Sequence, residues 1–586
     1  PYFGTADMDM LGLKKILKAL PQDHPAKLDY GTWPCGTFSV RGLTFVNGPQ
    51  SMRELITYCF LSNGVPGTAE FLKFNDEVLT YDQTWQEINA LGAALVHDYH
   101  IQAGDRVAIS MRNYPEWPLA FLAITCIGAV VCPLNSLWKG QEMEYGLRDS
   151  GTKLLICDAE RLVYAKQALA TLNIPSIVCR GPKDTYRDIV QRRMGQTLPT
   201  YPTSATIDSV AAIFYTSGST GNPKGVCQTH RGLTNQIYQP IALRHLAGNP
   251  TTPQQAVICP VPLFHVTGSH HVFLAALTSG ARLILMYKWD PLEALKLIDR
   301  EKPKNWTGVP TMIQDIMEHP DFDKYDTSSL KKLGGGGAPT PVSQLKKVSK
   351  KFKGGGSAGN GYGLTETNGG VCTIGGEEYK KRPTSCGQPL PLIEVCVVDI
   401  NGPNADGTYK HLPRPSTRGE LLIRGALVMK EYWNKPIKNQ DSLVQVDSNM
   451  GGGWFRTGDI AEIDEEQYIY IVDRLKDLII RGGENISCAE VESTFYNHPN
   501  VLECAAFGMK DTRLGERVGI CIVLKQPTTT KTELVNHASH TLAKFKIPEM
   551  KDMFVQYTQL DRGATGKILK RVIRDRFNKM VLSSKL

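Results

Sequence analysis

The sequence predicts an α/β protein: a large N-terminal domain of layered α/β subdomains, then a small α+β C-terminal domain. Three observations carry this. Helical spacing alternates with short, wholly apolar runs, the pattern of parallel strands covered on both faces. The rhythm changes near Asp473-Arg474-Leu475-Lys476-Asp477, where a compact terminal unit begins. The 586 residues are 41% hydrophobic and 21% charged, a globular composition that rules out wholesale disorder.

In chain order, residues 1–50 read as an N-terminal extension. Met10 to Leu20 has amphipathic helical spacing, and Trp33 to Pro49 suggests loops and short strands. From Ser51 helices are expected at Trp85–His97, Glu116–Gly128 and Gln141–Asp149. They lead to strands at Arg106–Met111, Val130–Leu134 and Lys153–Asp158. Ser209–Tyr215, Gln255–Pro262 and Ala281–Met286 continue the series, and Glu394–Asp399, Gly419–Arg424 and Gln467–Val472 are strand-rich. The lysine-rich run Lys346 to Gly356 reads as a solvated helix face.

The large domain is placed at 51–473, a linker at 474–477 and the small domain at 478–586. Within the small domain the order is strand Leu478–Ile480, helix Ala489–Asn497, strands Val501–Met509 and Arg517–Leu524, and helix Lys531–Leu542. A basic terminal helix follows.

Composition narrows the function classes. The net charge of +8 permits anionic ligands, but no stretch is basic enough for a nucleic-acid arm. The 14 Cys form no CxxC pair, which suggests free, buried thiols in a reducing compartment. The longest apolar stretch, Phe121 to Leu134, is interrupted by Gly128 and Pro133 and is too short to span a bilayer. The N-terminus lacks a signal pattern. A soluble intracellular protein is expected. The tripeptide Ser584-Lys585-Leu586 is an address read by the peroxisomal import receptor, so the expected location is the peroxisome matrix. The basic segment Lys567 to Lys585 is expected to form a surface helix, with a weak membrane-surface contact as one use.

The strongest motif is Tyr215-Thr216-Ser217-Gly218-Ser219-Thr220-Gly221-Asn222-Pro223-Lys224-Gly225-Val226, which follows an apolar strand. Its glycines let backbone N–H groups point at an anion. Thr216, Ser217, Ser219 and Thr220 can bond phosphate oxygens, and Lys224 brings a mobile positive charge. The spacing differs from a Walker loop.

This segment resembles the signature loop of the adenylate-forming superfamily: acyl-CoA synthetases, coumarate-CoA ligases, beetle luciferases and the adenylation domains of peptide synthetases. The likeness continues in order from about residue 55 to the end of the chain. In Asn360-Gly361-Tyr362-Gly363-Leu364-Thr365-Glu366-Thr367, the glycines let backbone approach a flat ring and Tyr362 offers a stacking face. Thr365 has a hydroxyl for the α-phosphate, and Glu366 is a hard oxygen ligand suited to Mg²⁺. Trp454-Phe455-Arg456-Thr457-Gly458-Asp459 ends in a carboxylate that can accept from both hydroxyls of a ribose. Gly334-Gly335-Gly336-Gly337-Ala338-Pro339 is similar to the family's adenine-binding turn, and its glycines would also leave room for an acyl chain.

The resemblance implies further roles. Asn360 would contact the adenine amino group, Arg474 the ribose and Ile471 the base, with Lys476 as hinge. Gly482, Gly483 and Glu484 would line the coenzyme A tunnel, and Thr565-Gly566-Lys567 would carry the catalytic lysine. Asp561 and Gly563 depart there from the family's usual proline and hydroxyl residue. His265, Val266, Thr267 and Gly268 would meet the acid, before a helix expected at Ser269–Leu277. Val309, Gly335 and Gly336 would line the acyl pocket; His270 or His271 would join them. Lys544 and Lys546 read equally as contacts for coenzyme A phosphates or as solvated lysines.

The implied fold adds a small β-barrel-like part to the large domain and makes the C-terminal domain mobile. The implied cofactors are ATP, Mg²⁺ and coenzyme A. The implied reaction joins a carboxylic acid to coenzyme A through an acyl-AMP. A medium- or long-chain fatty acid is the expected substrate; an aryl- or dicarboxyl-CoA ligase is the alternative. No motif fixes acid choice, because pocket walls come from residues distant in sequence.

Overall fold

The computed structural model describes residues 9–216, 222–247, 254–336, 351–354, 357–447, 450–482, 484–563 and 567–583. Within them the large domain is built on four sheets and the C-terminal unit on a fifth, beside the hairpin Leu28–Cys35 with Phe38–Phe45. The first large sheet orders its strands Glu431–Tyr432, Lys224–Thr229, Val210–Thr216, Val130–Pro133, Arg106–Ser110, Leu154–Asp158 and Ser176–Cys179. From Val210–Thr216 onward the neighbours are parallel, whereas Lys224–Thr229 returns antiparallel. Every residue of Leu154–Asp158 is buried, as a strand covered on both faces requires. Helix Glu116–Cys126 is buried all round, so it is an interior rather than a surface helix.

A second sheet runs Asn305–Gly308, Lys332–Gly336, Ser357–Tyr362, Cys372–Gly375 and Gln388–Pro389, its first three strands parallel. A third holds Ala256–Cys259, Arg282–Leu285, Glu70–Phe74 and Glu77–Thr80. The fourth is antiparallel: His411–Leu412, Ile393–Val398, Gly419–Gly425, Trp454–Ile463 and Leu443–Val444, with Ile469–Arg474 also on the Trp454 strand.

Three expectations differ from what is found. Residues 10–45 are not an appended extension. Met10, Leu13 and Leu17 of helix Met10–Ala19 join the core of the large domain, and the hairpin beyond it contributes Trp33, Val40, Leu43 and Phe45. Met10 N donates to Gln388 Oε1 at 3.0 Å, and Asn235 Oδ1 accepts from both Thr44 Oγ1 and Phe45 N. The helix expected at Ser269–Leu277 begins as a wide π turn, Thr267–Leu274, and narrows to an α turn over Ala275–Thr278. In the C-terminal unit two strands went unread, Glu484–Ile486 and Met553–Gln556, each too short to show alternation.

The C-terminal unit has its own apolar clusters. Ile479, Val491, Phe495 and Ile520 anchor one, and Phe507, Ile573 and Phe577 the other. The terminal helix Lys570–Ser583 therefore docks one face: Phe577 stacks on Phe554 with centroids 3.8 Å apart, while Val572 stays exposed. Between the two units, Leu475 N donates to Gly458 O at 2.8 Å and Leu478 N to Arg474 O at 3.2 Å. Ser487 Oγ donates to Asp473 Oδ2 at 2.8 Å.

Of the 14 cysteines, all unpaired, Cys386 is half-buried and the rest are buried. No helix among the described residues is long and apolar enough to cross a membrane. Most of the Lys346–Gly356 run and the tripeptide Ser584-Lys585-Leu586 lie outside the described residues.

Candidate active site

The phosphate loop closes a hairpin. Lys224 pairs with Thr216 across antiparallel strands, so the hydroxyl and the ammonium stand opposite each other at the loop's base. Ser217, Gly218, Ser219, Thr220 and Gly221 lie outside the described residues, as do Gly337, Ala338, Pro339 and Gly483.

Lys224 Nζ lies over the ring of Tyr432 at 5.2 Å, and Tyr432 Oη donates to Glu366 Oε1 at 2.7 Å. Burial lowers the Lys224 pKa, the nearby ammonium groups of Lys438 and Lys476 lower it further, and Glu366 opposes them. Such a cluster of cations favours a polyphosphate. Glu366 is the middle residue of a 3₁₀ turn, Thr365–Thr367, held at its backbone by Met429 N to Glu366 O at 2.7 Å.

A brace holds the same turn from the other side. Gln228 Nε2 donates to Thr365 O at 2.9 Å, and Gln228 Oε1 meets His270 Nε2 at 2.9 Å. His270 Nδ1 in turn meets Ser269 Oγ at 2.9 Å. His270 is fully buried, and burial holds its imidazole well below the usual range. His271 takes the other place: it faces the Gly369 turn, where a Cβ would lie 2.5 Å from His271 Nε2 and φ is +92°. Only glycine fits there. Gly363 is bare for a related reason, since a Cβ would come within 1.8 Å of Gly369 O.

Asp459, expected to read the ribose, has two partners. Tyr362 Oη donates to Asp459 Oδ2 at 2.6 Å, and Arg474 Nε to Asp459 Oδ1 at 3.1 Å. Strand pairing sets this up: Asp459 stands opposite Arg474 in the register. Tyr362 thus works through its hydroxyl as well as offering a ring. Asn360 is buried beside it and pairs with Gly335, while Gly361 pairs with Gly336. Ile471 is half-buried against the large core.

Lys567 reaches this centre from the other domain. Burial, and then the Arg474 guanidinium, hold its ammonium below the ordinary lysine range, while Asp459 and Glu366 pull the other way. His265, expected to meet the acid, is in electrostatic reach of Lys567. Burial pushes that imidazole down to about 3, with Lys567 and His271 adding to the effect. It is neutral at physiological pH, and its Nδ1 lies 3.1 Å from Thr267 Oγ1. Val266, next in the chain, and Val309 are buried, and Gly268 sits in the π turn. At Gly336 a Cβ would meet only Gly361 O, at 3.3 Å.

The structure therefore gathers Lys224, Glu366, Asp459, Arg474, Lys567 and His265 into one electrostatic unit. It does not bring the coenzyme A loop into that unit. Gly482 has φ +60°, its N–H bonds Leu514 O at 2.8 Å, and Glu484 is exposed. Lys546 is paired with Glu490 at 2.7 Å, and Lys544 is exposed. Lys476 is exposed, within electrostatic reach of Lys438 and Arg474. Tyr432 and Gln228 were not foreseen as parts of the site, and His270, expected with His271 as a candidate for the acyl pocket, instead braces Gln228.

The AMP-binding enzyme family matches residues 62–433, and the AMP-binding enzyme C-terminal domain matches residues 490–567. The chain belongs to the AMP-binding enzyme family. A long-chain-fatty-acid–CoA ligase of Mycobacterium tuberculosis is 31% identical over 505 residues, covering 85% of this chain and 94% of that protein. A feruloyl-CoA synthase of Amycolatopsis is 33% identical over 514 residues, covering 87% and 96%. Among solved structures, ATP-bound MatB of Rhodopseudomonas palustris superposes with a TM-score of 0.77 at 26% identity, covering 90% of this chain and 99% of that one. The o-succinylbenzoate CoA synthetase of Bacillus subtilis, in complex with its acyl-adenylate, gives 0.73 at 26%, covering 90% and 98%. This AMP-binding enzyme is an AMP-forming acid–thiol ligase: it joins an acid to coenzyme A through an acyl-AMP.

Proposed function

We propose that this ligase activates a medium- or long-chain fatty acid. The observation that carries the reading is glycine at position 336, the end of a strand beside Ser357–Tyr362, where an added Cβ would meet, among the described residues, only Gly361 O, at a crowded 3.3 Å, so that glycine keeps this point free of a side chain. A neutral His265 beside Lys567 adds a polar head for a carboxylate, with buried Val266 and Val309 as apolar company. The likeness to long-chain-fatty-acid–CoA ligases supports the same reading. The likeness to feruloyl-CoA synthase and 4-coumarate–CoA ligase favours a second, an aromatic acid.

The chemistry follows from the groups present. A carboxylate is a poor electrophile, and transfer of AMP onto it creates a mixed anhydride with a good leaving group. The carboxylate attacks the α-phosphorus in line and pyrophosphate departs. The protein's part is alignment and neutralisation of charge. Lys567 bridges the attacking carboxylate and the α-phosphate, Thr365 bonds an α-phosphate oxygen, and Lys224 faces the departing phosphates. Asp459 and Arg474 hold the ribose.

Glu366 is the residue that would hold Mg²⁺. The described residues show no cluster of three or more His, Cys, Asp or Glu that could hold a metal. A lone carboxylate fits an ion that takes most of its oxygens from phosphates and water. When bound, Mg²⁺ would neutralise charge on the polyphosphate. In the second step the thiol of coenzyme A attacks the acyl carbonyl and AMP leaves. Rotation about Lys476 would withdraw Lys567 and bring the Gly482 hairpin to the site.

The test is incubation of the full chain with Mg-ATP, coenzyme A and acids from acetate to oleate, with coumarate, ferulate and oxalate alongside. Mass spectrometry reads acyl-AMP and acyl-CoA. Thioesters formed from C8 to C18 fatty acids are expected. Thioesters from the aromatic or dicarboxylic acids alone would replace this reading by the corresponding alternative.

A further inference from the structure

A cavity of about 610 Å³ opens between the N-terminal hairpin and the antiparallel sheet, lined by Tyr30, Ser39, Val40, Arg41, Glu394, Arg424, Gly451 and Gly452. It shares no residue with the catalytic centre described above. The hairpin that forms one wall precedes the residues matched by the family, 62–433.

Its walls are positively charged. Lys18 Nζ and the Arg41 guanidinium both lie against the Tyr30 ring, at 4.9 and 5.0 Å from its centroid. Tyr30 is 46% exposed, so these cations stand at the mouth. Glu394 is the one carboxylate of the lining, and it is already engaged: Arg424 Nη2 and Nε reach Glu394 Oε2 at 2.6 and 3.0 Å. Arg424 is further fixed by Met450 O at 2.5 Å and by the face of Trp454 at 4.4 Å. Lys14 stands on the same helix as Lys18, in electrostatic reach of Glu394 and Arg414. With Glu394 matched by Arg424, Arg41 in the lining and Lys18 at the Tyr30 ring remain as an excess of positive charge at one concavity.

Gathering like charges costs free energy that a bound anion returns. The guanidinium fork of Arg41 suits the tetrahedral oxygens of phosphate. The volume lies within the range of small-molecule sites, about 300–1,000 Å³. We infer that this cavity is a second binding site, for a small organic anion bearing two or more phosphate charges. The phosphate can belong to a free metabolite or to a lipid headgroup; the chemistry recognised is the same.

The experiment uses the full chain with its catalytic site first blocked by a nonhydrolysable acyl-sulfamoyl adenosine. One arm titrates inorganic tripolyphosphate by calorimetry. The other measures co-sedimentation with phosphatidylcholine vesicles containing phosphatidic acid. Saturable binding of tripolyphosphate is expected, weakened about tenfold or more by Lys18→Glu with Arg41→Glu. Arg41→Glu alone, at an exposed position, guards against misfolding, and ATP–pyrophosphate exchange should match wild type in both variants. Vesicle binding lost in the same variants identifies the source as a headgroup; tripolyphosphate binding without vesicle binding identifies a free phosphorylated compound. No saturable binding to either probe, or binding that the charge reversals leave unchanged, overturns the site.

Discussion

Tyr432 Oη donates to Glu366 Oε1 at 2.7 Å while the same ring lies under the Lys224 ammonium at 5.2 Å. One side chain thus ties the phosphate-loop lysine to the carboxylate suited to Mg²⁺. Tyr432→Phe keeps the ring and removes the donor. Loss of a hydrogen bond to a charged group is worth roughly 1.5–3 kcal/mol, so KM for Mg-ATP should rise about tenfold or more. Thioester formation from preformed acyl-AMP should stay at the wild-type rate. ATP–pyrophosphate exchange measured against Mg²⁺ concentration checks this, and an unchanged curve would show the contact to be idle.

Gly336 supports the acyl-pocket reading. Among the described residues a Cβ there meets only Gly361 O, at a tight 3.3 Å, so a valine would press on that strand and occupy the room that glycine leaves. Gly336→Val should leave ATP–pyrophosphate exchange with short acids intact and shorten the longest chain accepted. The chain-length profile of acyl-CoA products reads it directly. A profile identical to wild type would remove Gly336 from the pocket wall.

The Ser269–His270–Gln228–Thr365 relay joins the acid side to the nucleotide side. His270→Ala leaves the buried Gln228 Oε1 without its partner, which should cost about 1–3 kcal/mol of stability, read as a lower denaturation midpoint. The loosened Thr365 carbonyl should raise KM for ATP while the chain-length profile stays as it was. A changed chain-length profile with normal KM for ATP would instead make His270 a pocket wall.

The pH dependence separates the two half-reactions. Lys567 must be protonated to bridge two anions, and its pKa is lowered in the folded protein. Adenylation should therefore fall as pH rises through a value below the ordinary lysine pKa of 10.5. Thioester formation from preformed acyl-AMP should lack that alkaline limb. His265, at about 3, stays neutral throughout and adds no acid limb between pH 5 and 8. Stopped-flow rates of each half-reaction across pH test both statements.

Lys476, the proposed hinge, lies two residues beyond Arg474, which bonds Asp459. Lys476→Pro should fix the backbone near its present state. Acyl-AMP formation should persist and thioester formation should be lost. Equal loss of both steps would mean that the substitution disrupts the site rather than the motion.

Much of this site was legible because its chemistry is local. The phosphate loop, the Asn360–Thr367 segment and the Asp459 and Lys567 motifs each concentrate their donors within a few residues. Tyr432 was not legible: it meets Glu366 across 66 residues of sequence, from a strand of two residues. Gln228 reaches Thr365 across 137 residues, and nothing in its neighbours marks it. The N-terminal helix showed its amphipathic spacing, but the surface that receives it includes Gln388, far along the chain. Periodicity reports that a face is apolar and not what covers it. The π turn at Thr267–Leu274 has no spacing signal of its own.

The most direct measurement is the split of the two half-reactions in Lys567→Ala. Acyl-AMP formation from acid and ATP should fall by about a hundredfold or more, the size expected for losing a charge aimed at the transition state. Acyl-CoA formation from supplied acyl-AMP should remain near wild type. A variant that adenylates normally would contradict the assignment of Lys567, and with it the account of a site assembled across the two domains.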